Sequence, residues 1–454
     1  MEHNRAALNG AASFLKACDF SEEEILAWSA VLEEACRPFG LCGEDLRRAA
    51  EEILPSHYDM GLEGIRLLIG AYVREFLNLY RKSPAYRIYT TVPAPIPALL
   101  AVQEAGGESV LVCSADYLLM VVLRGFLGWE GPGDVIGSPC CRHCGLNELR
   151  IYSAEFGLLP DPDLMWNWGM LCDESGKSNE WLNLRLQSWP VASVILPKTA
   201  AEEPEARRAY MAAEIGDTLR EVGKKAGIEI GEETKERAWK KWERLSFAVE
   251  SLNHWNCTHI QLGGNENALV QALFLAGFSD WEPALHSLQI LRKELQERER
   301  LNPGKNKPSC RVGCFLLPFL VPEVSDLFEA NGVRLLTSTA VMARKDGGSR
   351  AGSFEEKVAS FWMRAGIAST MEEEAEMIGD YLIRYQLDAY LIGMFSFDRW
   401  MGAHQKLLAR RIQERTGKKT LFLELDFWGK DIELGRLETQ IETFSAMLKS
   451  ETKK

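Results

Sequence analysis

Apolar positions recur at helical spacing through the first part of the chain. "SEEEILAWSAVLEEACRPFG" opens on Ser21, an N-cap residue type, with Glu24 three positions on. Ile25, Trp28, Leu32 and Cys36 then follow on one face of a helix. "GLEGIRLLIGAYVREFLNLYRK" predicts a second amphipathic helix. At residue 86 the period shortens. "YRIYTTV" alternates as a strand, "PAPIPALLAVQEAGG" turns and becomes a glycine-ended helix, and "ESVLVCSA" is a strand again. "DLMWNWGMLCD" and "SVILPK" continue that rhythm. Residues 201–300 return to helix: "EPEARRAYMAAEIGDTLREVGKKAG" and "WEPALHSLQILRKELQERERL" are charged along one face, as solvated covering helices are. A second strand–helix–strand stretch closes the chain. "CRVGCFLLPF", "VRLLTSTA", "YQLDAYLIGMFSF" and "KKTLFLELDF" read as strands; "VPEVSDLFEANG", "MGAHQKLLARRIQERTG" and "LGRLETQIETFSAMLKS" read as helices.

The alternation predicts an α/β protein with two open parallel sheets of the Rossmann or flavodoxin kind. The expected divisions are an N-terminal helical segment (1–85), a first α/β domain (86–200), a helical connection (201–305) and a second α/β domain (306–454). In such sheets ligands bind beyond the carboxyl ends of the strands. The chain has 454 residues, 46% hydrophobic and 26% charged, ordinary values for a globular protein. Its formal net charge of −13 argues against broad binding to nucleic acid, whose phosphates must be met by Lys and Arg. The longest apolar runs, "LLPFLVP" and "YLLMVVL", are strand-sized or half-helix-sized and far short of the roughly 20 residues a bilayer span needs. No secretory leader is visible at the N-terminus, so the expectation is a cytoplasmic protein without membrane attachment.

In that compartment thiols stay reduced, which turns attention to how the 11 cysteines are distributed. Cys18, Cys36, Cys42 and Cys113 each sit singly in an apolar pattern and read as small buried hydrophobes. So does Cys257. Cys140, Cys141 and Cys144 crowd into "SPCCRHCGLNELR", a polar loop carrying Arg142 and His143. Thiolates are soft ligands suited to iron–sulfur clusters and to zinc. The loop leaves three readings open: one arm of an iron–sulfur site, a redox dithiol at Cys141 and Cys144, or zinc held with Cys310 and Cys314.

The sequel to Cys172, "CDESGKSNEWL", adds a resemblance. Cys140 and Cys141 lie upstream of Cys172-Asp173, a small polar turn and Lys177. That pattern resembles the 2-hydroxyacyl-CoA dehydratase and benzoyl-CoA reductase family, which includes the double-cubane cluster reductases. "YTTVPAPIPALLAVQEAGGESV", "CRVGCFLLPFLVPEVSDLFEANGVRLL" and "KKTLFLELDFWGKDIELGRLETQIETF" resemble the family's other segments in the same order, over residues 86–448. The resemblance implies two α/β domains around an oxygen-sensitive iron–sulfur cluster, [4Fe-4S] or double-cubane. It implies a homologous subunit or a second copy as partner, and a separate ATP-hydrolysing iron–sulfur activator. The substrate would be an acyl-CoA dehydrated by a radical route, or an acyl-CoA or small molecule that is reduced.

Three positions depart from the family. Its usual third cysteine falls in Phe395-Ser396-Phe397-Asp398, and Phe397 cannot ligate iron. The closing helix reads Thr439-Gln440-Ile441-Glu442 where the family tends to have Thr-Arg. Ala98 stands where an acidic residue is expected. The sequence reading is therefore that Cys140, Cys141, Cys144 and Cys172 supply the metal ligands, the loop thiols replacing the one displaced by Phe397. The rival is a non-catalytic scaffold subunit. His143 and His404 are secondary candidates for the site, each also readable as a plain surface position. Trp166, Trp168 and Trp181 wall a cleft or pack a core. "QLGGNENALV" opens a helix on two glycines and is a weak candidate for anion binding.

Overall fold

The computed structural model describes residues 2–81, 86–131, 144–169, 173–186, 189–195, 204–303, 308–315, 321–342, 352–364, 370–395, 399–425 and 434–451. The chain begins with five helices: α1 (Glu2–Ala17), α2 (Glu22–Cys36), α3 (Gly43–Arg48), α4 (Leu54–His57) and α5 (Glu63–Leu79). The expected capping box forms at α2. The Ser21 hydroxyl accepts from the Glu24 amide at 3.3 Å, and the Glu24 carboxylate accepts from the Ser21 amide at 2.8 Å. Glu24 also pairs with Arg74 of α5 at 2.8 Å, so one residue both starts a helix and docks it. That Arg74 contact, with the cap bonds, holds the Glu24 carboxyl below its ordinary range despite the desolvation that opposes it.

Two four-stranded sheets follow, and in both every strand pairing is parallel. The first contains β1 (Tyr86–Thr90), β2 (Val110–Cys113), β3 (Leu164–Gly169) and β4 (Val191–Ile195), in the order β2-β1-β3-β4. Its helices are α6 (Ile96–Gly106), α7 (Ala115–Leu119), α8 (Gly145–Glu155) and α9 (Asp173–Leu186). The run "YLLMVVL" is helical: α7 continues directly into a π-helical stretch, Met120–Phe126. It is buried on all sides, so the periodicity that would distinguish helix from strand is missing there. The connection comprises α10 (Pro204–Ala226), α11 (Glu232–His259), α12 (Gly264–Ala272) and α13 (Glu282–Leu301). α11 is charged on one face and buries Trp239, Trp242, Leu245, Val249 and Leu252 on the other. It packs on α6 of the first sheet and on the second sheet, wedged between them rather than laid over either.

The second sheet contains β5 (Cys310–Cys314), β6 (Val333–Ser338), β7 (Ala389–Phe395) and β8 (Lys419–Leu425), in the order β6-β5-β7-β8. α14 (Pro322–Ala330) joins β5 to β6. α15 (Phe354–Arg364) and α16 (Met371–Arg384) lie between β6 and β7, with α17 (Arg399–Thr416) and α18 (Leu434–Glu451) closing the chain. The periodicity above does not include α15 and α16, although Thr370 and Glu373 form the same capping box as Ser21 and Glu24. β6 is an edge strand whose outward Leu336 carbonyl accepts from the side-chain amides of Asn253, Asn267 and Gln271. Helix side chains thus cover a strand edge that would otherwise be open to pairing.

Both sheets have the same order, and the strand sequence reverses direction between β1 and β3 and again between β5 and β7. Those reversals are the topological switch points at which open parallel sheets form their ligand crevices. Cys172 comes just after β3 in the chain, and Phe397 just after β7.

Candidate functional site

At the first switch point, β1 and β3 stay joined to their carboxyl ends. The Thr91 amide donates to the Trp166 carbonyl at 3.3 Å, and the Thr91 hydroxyl accepts from the Trp168 amide at 2.9 Å. Thr90 and Thr91 are fully buried. Side chains alternate along β3. Trp166 and Trp168 face α10, where the Trp166 indole donates to Thr218 at 3.0 Å, while Asn167 faces α9. Both α8 and α9 begin at this end of the sheet, with their amide-rich N-termini toward the crevice, a setting that favours negative charge.

Cys144 is the residue before α8. Its backbone is extended (φ −66°, ψ 154°), its C=O accepts from the Glu148 amide at 3.0 Å, and its side chain is 8% exposed. The Asn147 amide nitrogen donates to Cys144 Sγ at 3.3 Å. Asn147 Oδ1 in turn accepts from the hydroxyls of Ser175, at 3.2 Å, and Ser178, at 3.3 Å, both on α9. One turn further along α8, Arg150 pairs with Asp116 of α7 and donates to Ser178 and Asn179, each at 3.1 Å. Asn179 reaches Asn167 of β3, which reaches Ser193 of β4. Cys144, Asn147 and Arg150 share one helix face because residues three apart lie one above the other. Asp116 and Arg150 are each 3% exposed, and at that depth their charges require each other. The polar cluster thus ties the start of α8 to the start of α9, three residues beyond Cys172 in the chain.

Of the metal ligands expected from sequence, Cys144 is described. Cys140, Cys141 and Cys172 lie outside the described residues, as do His143 and Phe397. His404 falls on α17, and its side chain is likewise outside the description. Among the described residues no three His, Cys, Asp or Glu side chains come together as a metal site. What is described suits a soft, anionic metal group: a buried sulfur with an N–H donor on it, beside two helix N-termini.

Other sequence candidates fall elsewhere. Cys310 and Cys314 are in β5 and belong to the core. The Cys314 thiol donates to the Thr337 carbonyl, and burial drives its pKa far up, so it is kept as a thiol. Cys144, Cys310 and Cys314 do not come together as a metal site, which disfavours the zinc reading that joined them with Cys141, itself outside the described residues. Cys257 is likewise interior, its thiol pushed up to about 12 by burial. Cys42 is a correction: it is exposed and begins α3, where its amide and thiol both meet the Asp45 carboxylate. Trp166 and Trp168 are core residues with rings 4.9 Å apart, and Trp181 stands on the surface of α9. "QLGGNENALV" does open α12, but the Gly264 amide donates to Glu329 at 3.0 Å and Glu266 lies against Gly263. Protein carboxylates already serve that helix end, which disfavours a further anion. The "small polar turn" after Cys172 is the first part of α9. Sequence reasoning passed over Asp116, Asn147 and Arg150. The signal available was the polar residues at three-residue spacing in "CGLNELR".

A protein-family model described as 2-hydroxyglutaryl-CoA dehydratase, D-component, matches residues 143–448. No curated protein matches the chain.

Proposed function

The chain belongs to the 2-hydroxyglutaryl-CoA dehydratase D-component family, and from that premise we propose that it is the iron–sulfur component of an ATP-activated, radical-type enzyme. Its activity is dehydration of a 2-hydroxyacyl-CoA, or reduction of an acyl-CoA or small molecule. The observation that carries this reading is Cys144: a buried sulfur at the β1/β3 switch point, bonded through Asn147 to the start of the helix that follows Cys172. Cys172 with Cys144 and one of Cys140 and Cys141 would hold a [4Fe-4S] or double-cubane cluster. Such a group supplies single electrons at low potential. The chain's own contribution is burial, the N–H bond to sulfur and the fields of two helix N-termini. Partners in this reading are a homologous subunit or a second copy, and an activator that delivers electrons with ATP hydrolysis, in the cytoplasm. No helix among the described residues is long and apolar enough to cross a membrane.

A second reading has a sequence feature in its favour. Phe397, two residues past the end of β7 in the chain, stands where the resemblance expects a third cysteine, and a cluster-free scaffold subunit would show that loss. Anaerobic purification and metal analysis separate the two. The proposal expects a brown protein containing iron, and Cys144→Ala or Cys172→Ala to lose most of it. Full iron retention in both variants refutes the ligand assignment. Zinc in a colourless protein refutes the cluster, and a protein with neither metal is the scaffold.

A further inference from the structure

We propose that Asn147 is a positioning residue that sets the reduction potential of the group held by Cys144. The inference rests on the reading that Cys144 is a ligand. Asn147 is 1% exposed and donates to Cys144 Sγ at 3.3 Å. A buried carboxamide is free to turn either its N–H or its C=O toward a neighbour, and here the partners decide. A deprotonated ligand sulfur can only accept, which selects Nδ2 for it; Oδ1 then takes the Ser175 hydroxyl proton, while the single Ser178 proton is shared between Oδ1 and the Ser175 carbonyl. Arg150 donates to the Ser178 hydroxyl at 3.1 Å, so a buried cation polarises the chain of bonds that ends on the sulfur. An N–H donor withdraws charge from a thiolate and stabilises the more negative, reduced form of a bound cluster, which raises its potential. The same bonds run between α8 and α9, so one residue would both tune a sulfur and hold in register the two segments that follow the candidate ligands.

The test uses full-length protein isolated anaerobically, with iron content and an EPR-monitored redox titration as readouts. Asn147→Leu keeps the approximate volume and removes the donor. The expected result is retained iron and a reduction equilibrium constant lowered about tenfold, a midpoint some 59 mV more negative for one electron. Ser175→Ala leaves Asn147 in place but loosens its orientation, and should shift the potential in the same direction by less. It also serves if the Leu variant does not fold. An unchanged midpoint in a folded, iron-loaded Asn147→Leu protein overturns the inference while leaving the cluster intact. Iron retained in Cys144→Ala overturns the ligand reading itself, and the inference with it.

Discussion

Glu75, on α5, is 2% exposed, and its carboxylate accepts from the Ser279 amide and hydroxyl and from the Asp280 amide. Burial outweighs those bonds and pushes its pKa up to about 7 from an ordinary 4.5. Between those two values the folded protein holds a proton that the unfolded chain has released. The stability tied to this group is therefore fully present below pH 4.5 and is lost as pH rises through 7. Glu75→Gln removes that dependence. Urea unfolding at pH 5 and pH 8 should show a smaller loss of stability with rising pH than in the unaltered protein, by up to about 3 kcal/mol. An unchanged difference would show that Glu75 does not titrate in this range. Little in "YVREFLNLY" marks this glutamate as interior: Asn78 donates to it from within that stretch at 3.3 Å, but the Ser279 and Asp280 donors come from a loop distant in sequence.

At the scale of elements, α5 and α13 show what periodicity conveys and what it omits. Both helices are legible in their apolar spacing, yet the closeness of their crossing is not. A Cβ on Gly64 would stand 2.5 Å from the Leu291 backbone, so glycine is what lets the two helices meet there. Glu294 of α13 then accepts from the amides of Glu63 and Gly64, each at 2.8 Å, and caps the first turn of α5. Gly64→Ala should force the helices apart and cost about 1–3 kcal/mol, read as a lowered thermal midpoint. Wild-type stability in that variant would mean the crossing relaxes freely. The capping boxes at Ser21 and Thr370, by contrast, are complete within four residues of sequence, and both form.

Across the whole molecule, a small set of charged contacts ties the halves together. Arg124, after α7, meets Glu323 of α14 through two bonds of 2.9 and 3.1 Å. Beside it His57 of α4 meets Asp326 at 2.6 Å, and Asn265 of α12 bonds both to Asp326 and to the His57 carbonyl. Arg124 is only 9% exposed, so removing Glu323 leaves a cation with little water to replace its partner. Arg124→Ala and Glu323→Ala should each cost about 1.5–3 kcal/mol in chemical denaturation, and the double variant clearly less than their sum. Strict additivity would show that the pair does not couple the halves.

By itself the sequence determined the alternation of strands and helices, the parallel character of both sheets, the thiol-rich loop and the family. Each depends on local spacing or on ordered short motifs, and these survive without knowledge of neighbours. Only the tertiary structure decided what stands behind Asn147 and Arg150, because Ser175, Ser178 and Asp116 reach them from other helices rather than along the chain. The structure also decided that Cys310 and Cys314 belong to a core, since burial is a property of what packs around a strand. It decided, too, that the two sheets share one order of strands, β2-β1-β3-β4 and β6-β5-β7-β8, because strand order is a matter of pairing between segments far apart in the chain.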